Sequence, residues 1–219
     1  RMKTSALKNA QGEKSDGKPL SDRELARIKR RYKTLIKVPK AKPRPALLLC
    51  PTGLVGSGKT TVVKAISSRL GLVRITTDDI RKLLNDGGFS FTRTHEIAHQ
   101  LLEEYARKGY SLTLDADCIG PAKEHEIKSF VRRFKLRLVR INVKAPERFI
   151  VERLRQARYP RGGIFKDAEE RIANYYRRKP LHDRYISRMK FDFVFDSSKP
   201  DLPARIAACI KKLRQGLSV

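Results

Sequence analysis

Gly53-Leu54-Val55-Gly56-Ser57-Gly58-Lys59-Thr60-Thr61 stands between an apolar run at 46–50 and a helical pattern at 59–70. The stretch satisfies G-x-x-x-x-G-K-[ST] in full and in the strand–loop–helix setting that the pattern requires. Glycines let such a loop turn tightly, so that successive backbone N–H groups converge on phosphate oxygens. The helix that opens at Gly58 adds free N–H groups and the positive end of its dipole. The Lys59 ammonium can reach the β- and γ-phosphates of a nucleotide, and the Thr60 hydroxyl can hold Mg2+.

Outward from the loop, strand and helix signals alternate. Apolar runs at 46–50, 72–76, 111–114, 136–143 and 191–195 read as five strands. Helical patterns occupy 59–70, 79–84, 95–108, 122–134, 147–157, 167–179 and 202–213. Strands buried on both faces and separated by helices predict an α/β sandwich of three layers around a parallel sheet. No guanine-reading N-K-x-D and no L-S-G-G-Q follows the loop, and the chain is too short for helicase or ring-ATPase machinery.

In such a fold the ligand crevice lies at the carboxyl ends of the strands. The second strand ends in Thr77-Asp78-Asp79-Ile80-Arg81. A hydroxyl that attacks phosphorus must lose its proton, and a carboxylate at Asp78 is placed to take it. Arg81, one helical turn on, is placed to hold the acceptor. The third strand leads into Asp115 and Asp117; Asp115, directly after the strand, is the expected partner of Mg2+. Arg153, Arg155, Arg158 and Arg161 precede Gly162-Gly163, a pattern that suits a lid closing on ATP, with Arg158 the expected catalytic arginine.

Charge dominates the composition, with 50 Lys+Arg against 23 Asp+Glu in 219 residues, a formal net of +27. Residues 1–45 hold 15 basic and 4 acidic side chains. Such a surface attracts polyanions, RNA or DNA before anionic membrane. Within this arm, 1–19 reads as a flexible lead-in and Ser21 with Glu24 as a capping box. The box opens a basic amphipathic helix at 22–37, and Pro39, Pro43 and Pro45 mark a linker ahead of a compact domain at 46–219. Arg1 ahead of Met2 reads as the start of a fragment or a processed chain. No apolar run approaches the length of a membrane helix, and no secretory signal is expected. Cys50, Cys118 and Cys209 lack metal or disulfide spacing, so a reducing, cytoplasmic setting is expected, with Cys50 and Cys209 in the core. His95-Glu96-Ile97-Ala98-His99 matches the short zinc-protease pattern, but its extended form is missing and the helix continues as ordinary amphipathic packing. A zinc site is not expected there; His95 or His99 facing the acceptor is the remaining role for the pair.

The loop G-L-V-G-S-G-K-T-T, T-T-D-D-I-R after strand two, L-T-L-D-A-D at strand three and A-P-E-R at 145–148 occur in an order that resembles one group of P-loop kinases. That group comprises polynucleotide kinases, zeta-toxin-like kinases and related small-molecule phosphotransferases, whose ATP-binding kinase domain is of AAA type. The likeness covers about 46–214, with Val55 where many relatives carry proline and Thr60 where they carry serine. It implies a P-loop NTPase sheet of five parallel strands in the order 2-3-1-4-5, Mg-ATP as donor, Asp78 as base, Arg81 on the acceptor side and lid arginines at the transferring phosphate. The expected activity is transfer of the γ-phosphate to a hydroxyl, foremost a polynucleotide 5′-hydroxyl. Two alternatives are a small-molecule kinase acting on a sugar, nucleotide-sugar or other metabolite, and a nucleic-acid-binding ATP switch without transfer.

Overall fold

The computed structural model describes residues 17–159 and 163–217. Five strands, β1 Leu47–Thr52, β2 Val73–Thr76, β3 Leu112–Asp115, β4 Arg137–Lys144 and β5 Phe193–Asp196, pair in parallel in the order β2-β3-β1-β4-β5. The order and direction are those expected. β1 lies at the centre and buries all six of its residues, which is why it reads as a continuous apolar run. It extends to Thr52, two residues past the expected end, through Pro51. Pairing with β3 stops at Leu49, so the missing N–H of Pro51 breaks no ladder on that side.

Helices cover both faces. α2 Lys59–Leu70 and α8 Leu202–Gln215 pack on one side, around Val62, Ile66, Val139, Ile141 and Ile210. α3 Thr77–Asp86, α4 Thr94–Arg107 and α5 Pro121–Phe134 cover the other, around Ile75, Ile80, Ile97, Leu101 and Phe130. A smaller cluster of Leu54, Ile150, Leu154 and Tyr175 packs α6 Glu147–Gln156 and α7 Ala168–Ile186 beside the glycine loop.

α1 Asp22–Lys33 opens with the expected capping box, in which the Ser21 hydroxyl and the Glu24 carboxylate each accept from the other residue's backbone N–H. Placed by its sequence in an arm ahead of the linker, it buries Leu25, Ile28 and Tyr32 in the same core as α3 and α4. Lys29 Nζ donates to Gln100 at 3.0 Å and Lys33 Nζ to Glu104 at 2.7 Å. The Tyr32 hydroxyl accepts from the Thr76 N–H at 2.9 Å and donates to the Thr76 carbonyl at 3.4 Å. β2 is an edge strand, so these groups have no neighbouring strand, and Tyr32 supplies their partner.

α7 departs from expectation by running through Pro180 to Ile186. The proline leaves the Tyr176 carbonyl without its helical donor, but Tyr176 is exposed and water can serve that carbonyl. Burial of Tyr175 ahead of the proline offsets part of the roughly 3 kcal/mol cost of an interior proline. No helix among the described residues is long and apolar enough to cross a membrane.

Candidate active site

The chain leaves β1 at Thr52 and turns through Gly53–Gly58 into α2. At Gly53 a Cβ would lie 2.3 Å from the Val143 carbonyl oxygen, so the loop passes too close to β4 for a side chain. Gly58, the residue ahead of α2, has φ 85°, a left-handed conformation that glycine alone adopts freely. Lys59 Nζ lies back over the loop, 2.8 Å from the Gly53 carbonyl oxygen. Ser57 Oγ is buried without a hydrogen-bond partner, while Thr60 and Thr61 are exposed at the start of α2.

A cavity of about 690 Å³ opens in front of this loop. It is lined by Gly53, Leu54, Val55, Gly56, Gly58, Lys59, Thr60 and Thr61 on one side, and by Thr77, Asp78, Arg81 and Phe91 on the other. Strand order produces the juxtaposition: β3 alone separates β1 from β2, so loops at their carboxyl ends face one crevice. Asp78 lies in the first turn of α3 with its carboxylate 66% exposed, and its Oδ1 accepts from Arg81 Nη1 at 3.2 Å. The same Arg81 nitrogen lies 3.3 Å from Thr77 Oγ1. The neighbouring Asp79 does not line the cavity; burial lifts its carboxyl above the usual range although Arg74 opposes the shift.

Asp115 closes β3 and reaches the cavity 5% exposed. Its Oδ2 accepts from Arg74 Nε at 2.9 Å and Nη2 at 2.6 Å, leaving Oδ1 as the oxygen open to a hydrated cation. Asp117, weighed against Asp115 in the sequence and set second, is the more connected of the two. Its Oδ1 accepts from the Gly53 N–H at 3.2 Å and its Oδ2 from Arg178 Nη2 at 3.0 Å, which ties α7 to the first residue of the loop.

Of the expected lid arginines, the three described ones, Arg153, Arg155 and Arg158, are not brought together. Arg153 alone lines the cavity, and its guanidinium acts as a brace: Nη1 donates to the Gly56 carbonyl at 3.0 Å and to Ser197 Oγ at 3.3 Å, with the Phe149 ring beneath it at 4.6 Å. Arg155 is exposed on another face of α6, because two residues along a helix turn a side chain through about 200°. Arg158, expected as the catalytic arginine, is exposed and not among the lining residues. Arg161 lies outside the described residues.

Besides Arg81 and Arg153, three arginines from α7 face the cavity: Arg171, Arg177 and Arg178, with Asn174. Arg171 Nε is buried without a partner, and its guanidinium lies 5.5 Å from the centre of the Phe165 ring and 5.9 Å from that of Tyr159. The signal for this face was present in the sequence as R-x-x-N-x-x-R-R at helical spacing from 171 to 178.

The glycine cradle, the unpartnered Ser57 hydroxyl, the Lys59 ammonium and the exposed Thr60 hydroxyl fit a nucleotide triphosphate with Mg2+; Thr60 and Asp115 would hold the cation. His95 and His99 do not line this cavity: His99 meets Phe130 edge-on, with ring centres 5.8 Å apart, and its Nδ1 lies 3.6 Å from Glu103. Cys50, Cys118 and Cys209 are all free and buried.

Fold and loop together define a P-loop nucleotide-binding domain. Residues 48–179 match the AAA domain family AAA_33, and the chain belongs to that family. No curated protein sequence is significantly similar to it. Among solved structures, a candidate kinase from Chloroflexus aurantiacus superposes with a TM-score of 0.55 at 18% identity, over 78% of this chain and 98% of that one. A chain of the PezAT toxin–antitoxin system of Streptococcus pneumoniae superposes with a TM-score of 0.52 at 15% identity, over 61% of each chain. Shikimate kinase from Bacteroides thetaiotaomicron has the lower TM-score of 0.44 at 18% identity, over 77% of this chain and 97% of that one. These likenesses are in the fold.

Proposed function

We propose that the protein is an ATP-dependent phosphotransferase that moves the γ-phosphate of ATP to a hydroxyl group, with a polynucleotide 5′-hydroxyl as the acceptor. The observation that carries this reading is a cavity with a phosphate loop on one wall and the Asp78–Arg81 pair on the other. The loop N–H groups and Lys59 hold the phosphate chain and spread the charge that builds on its oxygens. Thr60 and Asp115 would hold Mg2+, which would supply charge neutralisation to the phosphate chain. Asp78 accepts the proton of the acceptor hydroxyl as its oxygen bonds to phosphorus and the bond from phosphorus to the β–γ bridging oxygen breaks, leaving ADP. Arg81 orients the acceptor, and Arg171, Arg177 and Arg178 place further positive charge where the phosphoryl group crosses.

The +27 charge and the cluster of guanidinium groups favour an anionic acceptor. A small hydroxylated metabolite is the second reading, favoured by the apolar side chains of Phe91, Ile164 and Phe165 in the cavity lining. Label transfer from γ-labelled ATP tests both, using 5′-hydroxyl RNA and DNA, their 5′-phosphorylated counterparts and a panel of sugars and nucleosides. Label on free 5′ ends alone, absent with Lys59→Ala, is the expected result. Transfer only to small acceptors establishes the second reading, and ATP binding without transfer to any acceptor overturns both.

A further inference from the structure

The outer face of α1 takes no part in the core or the cavity. Arg23, Arg27, Arg30 and Arg31 are all exposed there. At about 100° per residue they fall within an arc of roughly 100°, away from Leu25, Ile28 and Tyr32, and span about 12 Å of helix axis. None of the four guanidinium groups has an ion-pair partner among the described residues, whereas Lys33 on the flank of the same helix pairs with Glu104.

Local sequence accounts for the isolation. On α4 and α5, Arg107, Lys108 and Lys128 each pair with a glutamate four residues away. Besides Glu24, the neighbours of the α1 arginines at three and four residues are Pro19, Leu20, Ala26, Ile28, Lys33, Thr34, Leu35 and one another. Glu24, three residues before Arg27, is committed to the cap at Ser21. Like charges at this spacing destabilise a helix, so the stability of α1 itself gives no reason for the row.

A line of guanidinium groups matches a line of phosphates, each of which arginine can hold through two parallel N–H donors. A membrane surface fits less well, because the apolar stripe of α1 that would enter a bilayer is buried in the core. α1 packs against α3, whose first turn carries Asp78 and Arg81, and Tyr32 bonds the residue just ahead of that turn. Exposed Lys37 and Lys40 continue the positive charge beyond the helix. α1 also lies outside the 48–179 segment that the family shares.

We propose that the outer arginine row of α1 is a track for the phosphate backbone of a single-stranded nucleic acid whose 5′ end enters the cavity beside Arg81. The track rests on the kinase reading for its purpose but is testable without it. Binding of a short 3′-labelled, 5′-hydroxyl oligonucleotide to the full chain is followed by fluorescence anisotropy across a salt series, without ATP. The comparison is a variant carrying Arg23→Gln, Arg27→Gln, Arg30→Gln and Arg31→Gln, whose melting temperature checks that α1 stays folded. The expected loss is about tenfold or more in affinity, with the salt slope shallower by about 3, since each single-strand phosphate contact contributes about 0.7. Phosphatidylserine vesicles and transfer to a 5′-hydroxyl dinucleotide are measured alongside. Oligonucleotide affinity and slope unchanged in the variant would overturn the track, and would do so with transfer intact. Vesicle binding lost in the variant while oligonucleotide binding persists would also overturn it. Oligonucleotide binding that depends on the four arginines, with no transfer to any 5′-hydroxyl, would leave the track standing and sink the polynucleotide kinase reading.

Discussion

His182 shows how burial sets the behaviour of one side chain. It is 9% exposed, neither ring nitrogen has a hydrogen-bond partner, and Asp183 Oδ1 stands off at 3.6 Å. Burial therefore holds the imidazole below its usual pKa, although Asp117 and Asp183 pull the other way. Below the unfolded value near 6.5 the unfolded chain binds the proton more readily, so stability falls as pH drops from about 6.5 toward the lower folded value. Thermal melts of His182→Leu should show that part of the acid sensitivity removed, with little loss at neutral pH, because no hydrogen bond is broken. An unchanged pH profile would contradict this. Arg178 is the second case at this scale. Its pair with Asp117 is partly buried, between the 0–1 kcal/mol of exposed pairs and the 3–5 kcal/mol lost on breaking buried ones, so Arg178→Ala should cost about 2 kcal/mol in urea unfolding. It should also weaken nucleotide binding, since Asp117 anchors the Gly53 N–H. Lys59, Thr60, Asp78 and Arg81 were legible because each sits at a fixed offset within a local pattern. Arg178 was not, because its importance comes from a partner 61 residues away.

At the scale of elements, the hydrophobic periods predicted every strand and helix of the described residues, and the differences lie at their ends. β1 and α7 run on through Pro51 and Pro180, past the ends of the patterns at 50 and 179, since what a proline costs depends on whether a neighbour needs its missing donor. The spacing of Arg153 and Arg155 does not reveal that α6 turns Arg153 and not Arg155 toward the loop, or that the helix ends before Arg158. α1 was legible as a helix but not as part of the core, because an amphipathic stripe does not name what it packs on. Tyr32 carries that docking, 2% exposed and with burial pushing its hydroxyl pKa up to about 12. Tyr32→Phe leaves a buried Thr76 N–H without its acceptor and should cost about 1–3 kcal/mol of stability. It should also slow phosphoryl transfer at unchanged ATP affinity, because Thr76 leads into the turn that carries Asp78. Calorimetry of ATP binding beside transfer rates checks the split; equal loss in both would show that Tyr32 serves general stability alone.

Over the whole molecule, three layers and one crevice follow from a glycine loop between a buried strand and a helix, repeated as alternating elements. What the local patterns did not disclose is how far the basic extension is integrated. Leu20, Leu25, Ile28 and Tyr32 are all buried in the core shared with α3 and α4, and fully burying an apolar side chain contributes about 1.5–3 kcal/mol. Deleting residues 1–45 should therefore lower the melting temperature sharply and expose apolar surface to a hydrophobic dye; an unaltered melt would show α1 to be dispensable. The measurement closest to the central claim is single-turnover transfer of the γ-phosphate from ATP to a 5′-hydroxyl oligonucleotide by wild type and Asp78→Asn, with ATP affinity measured in parallel. The account predicts ATP binding within about twofold of wild type and transfer slowed by about 100-fold or more, as expected for removal of a general base. Transfer at the wild-type rate by Asp78→Asn would contradict it.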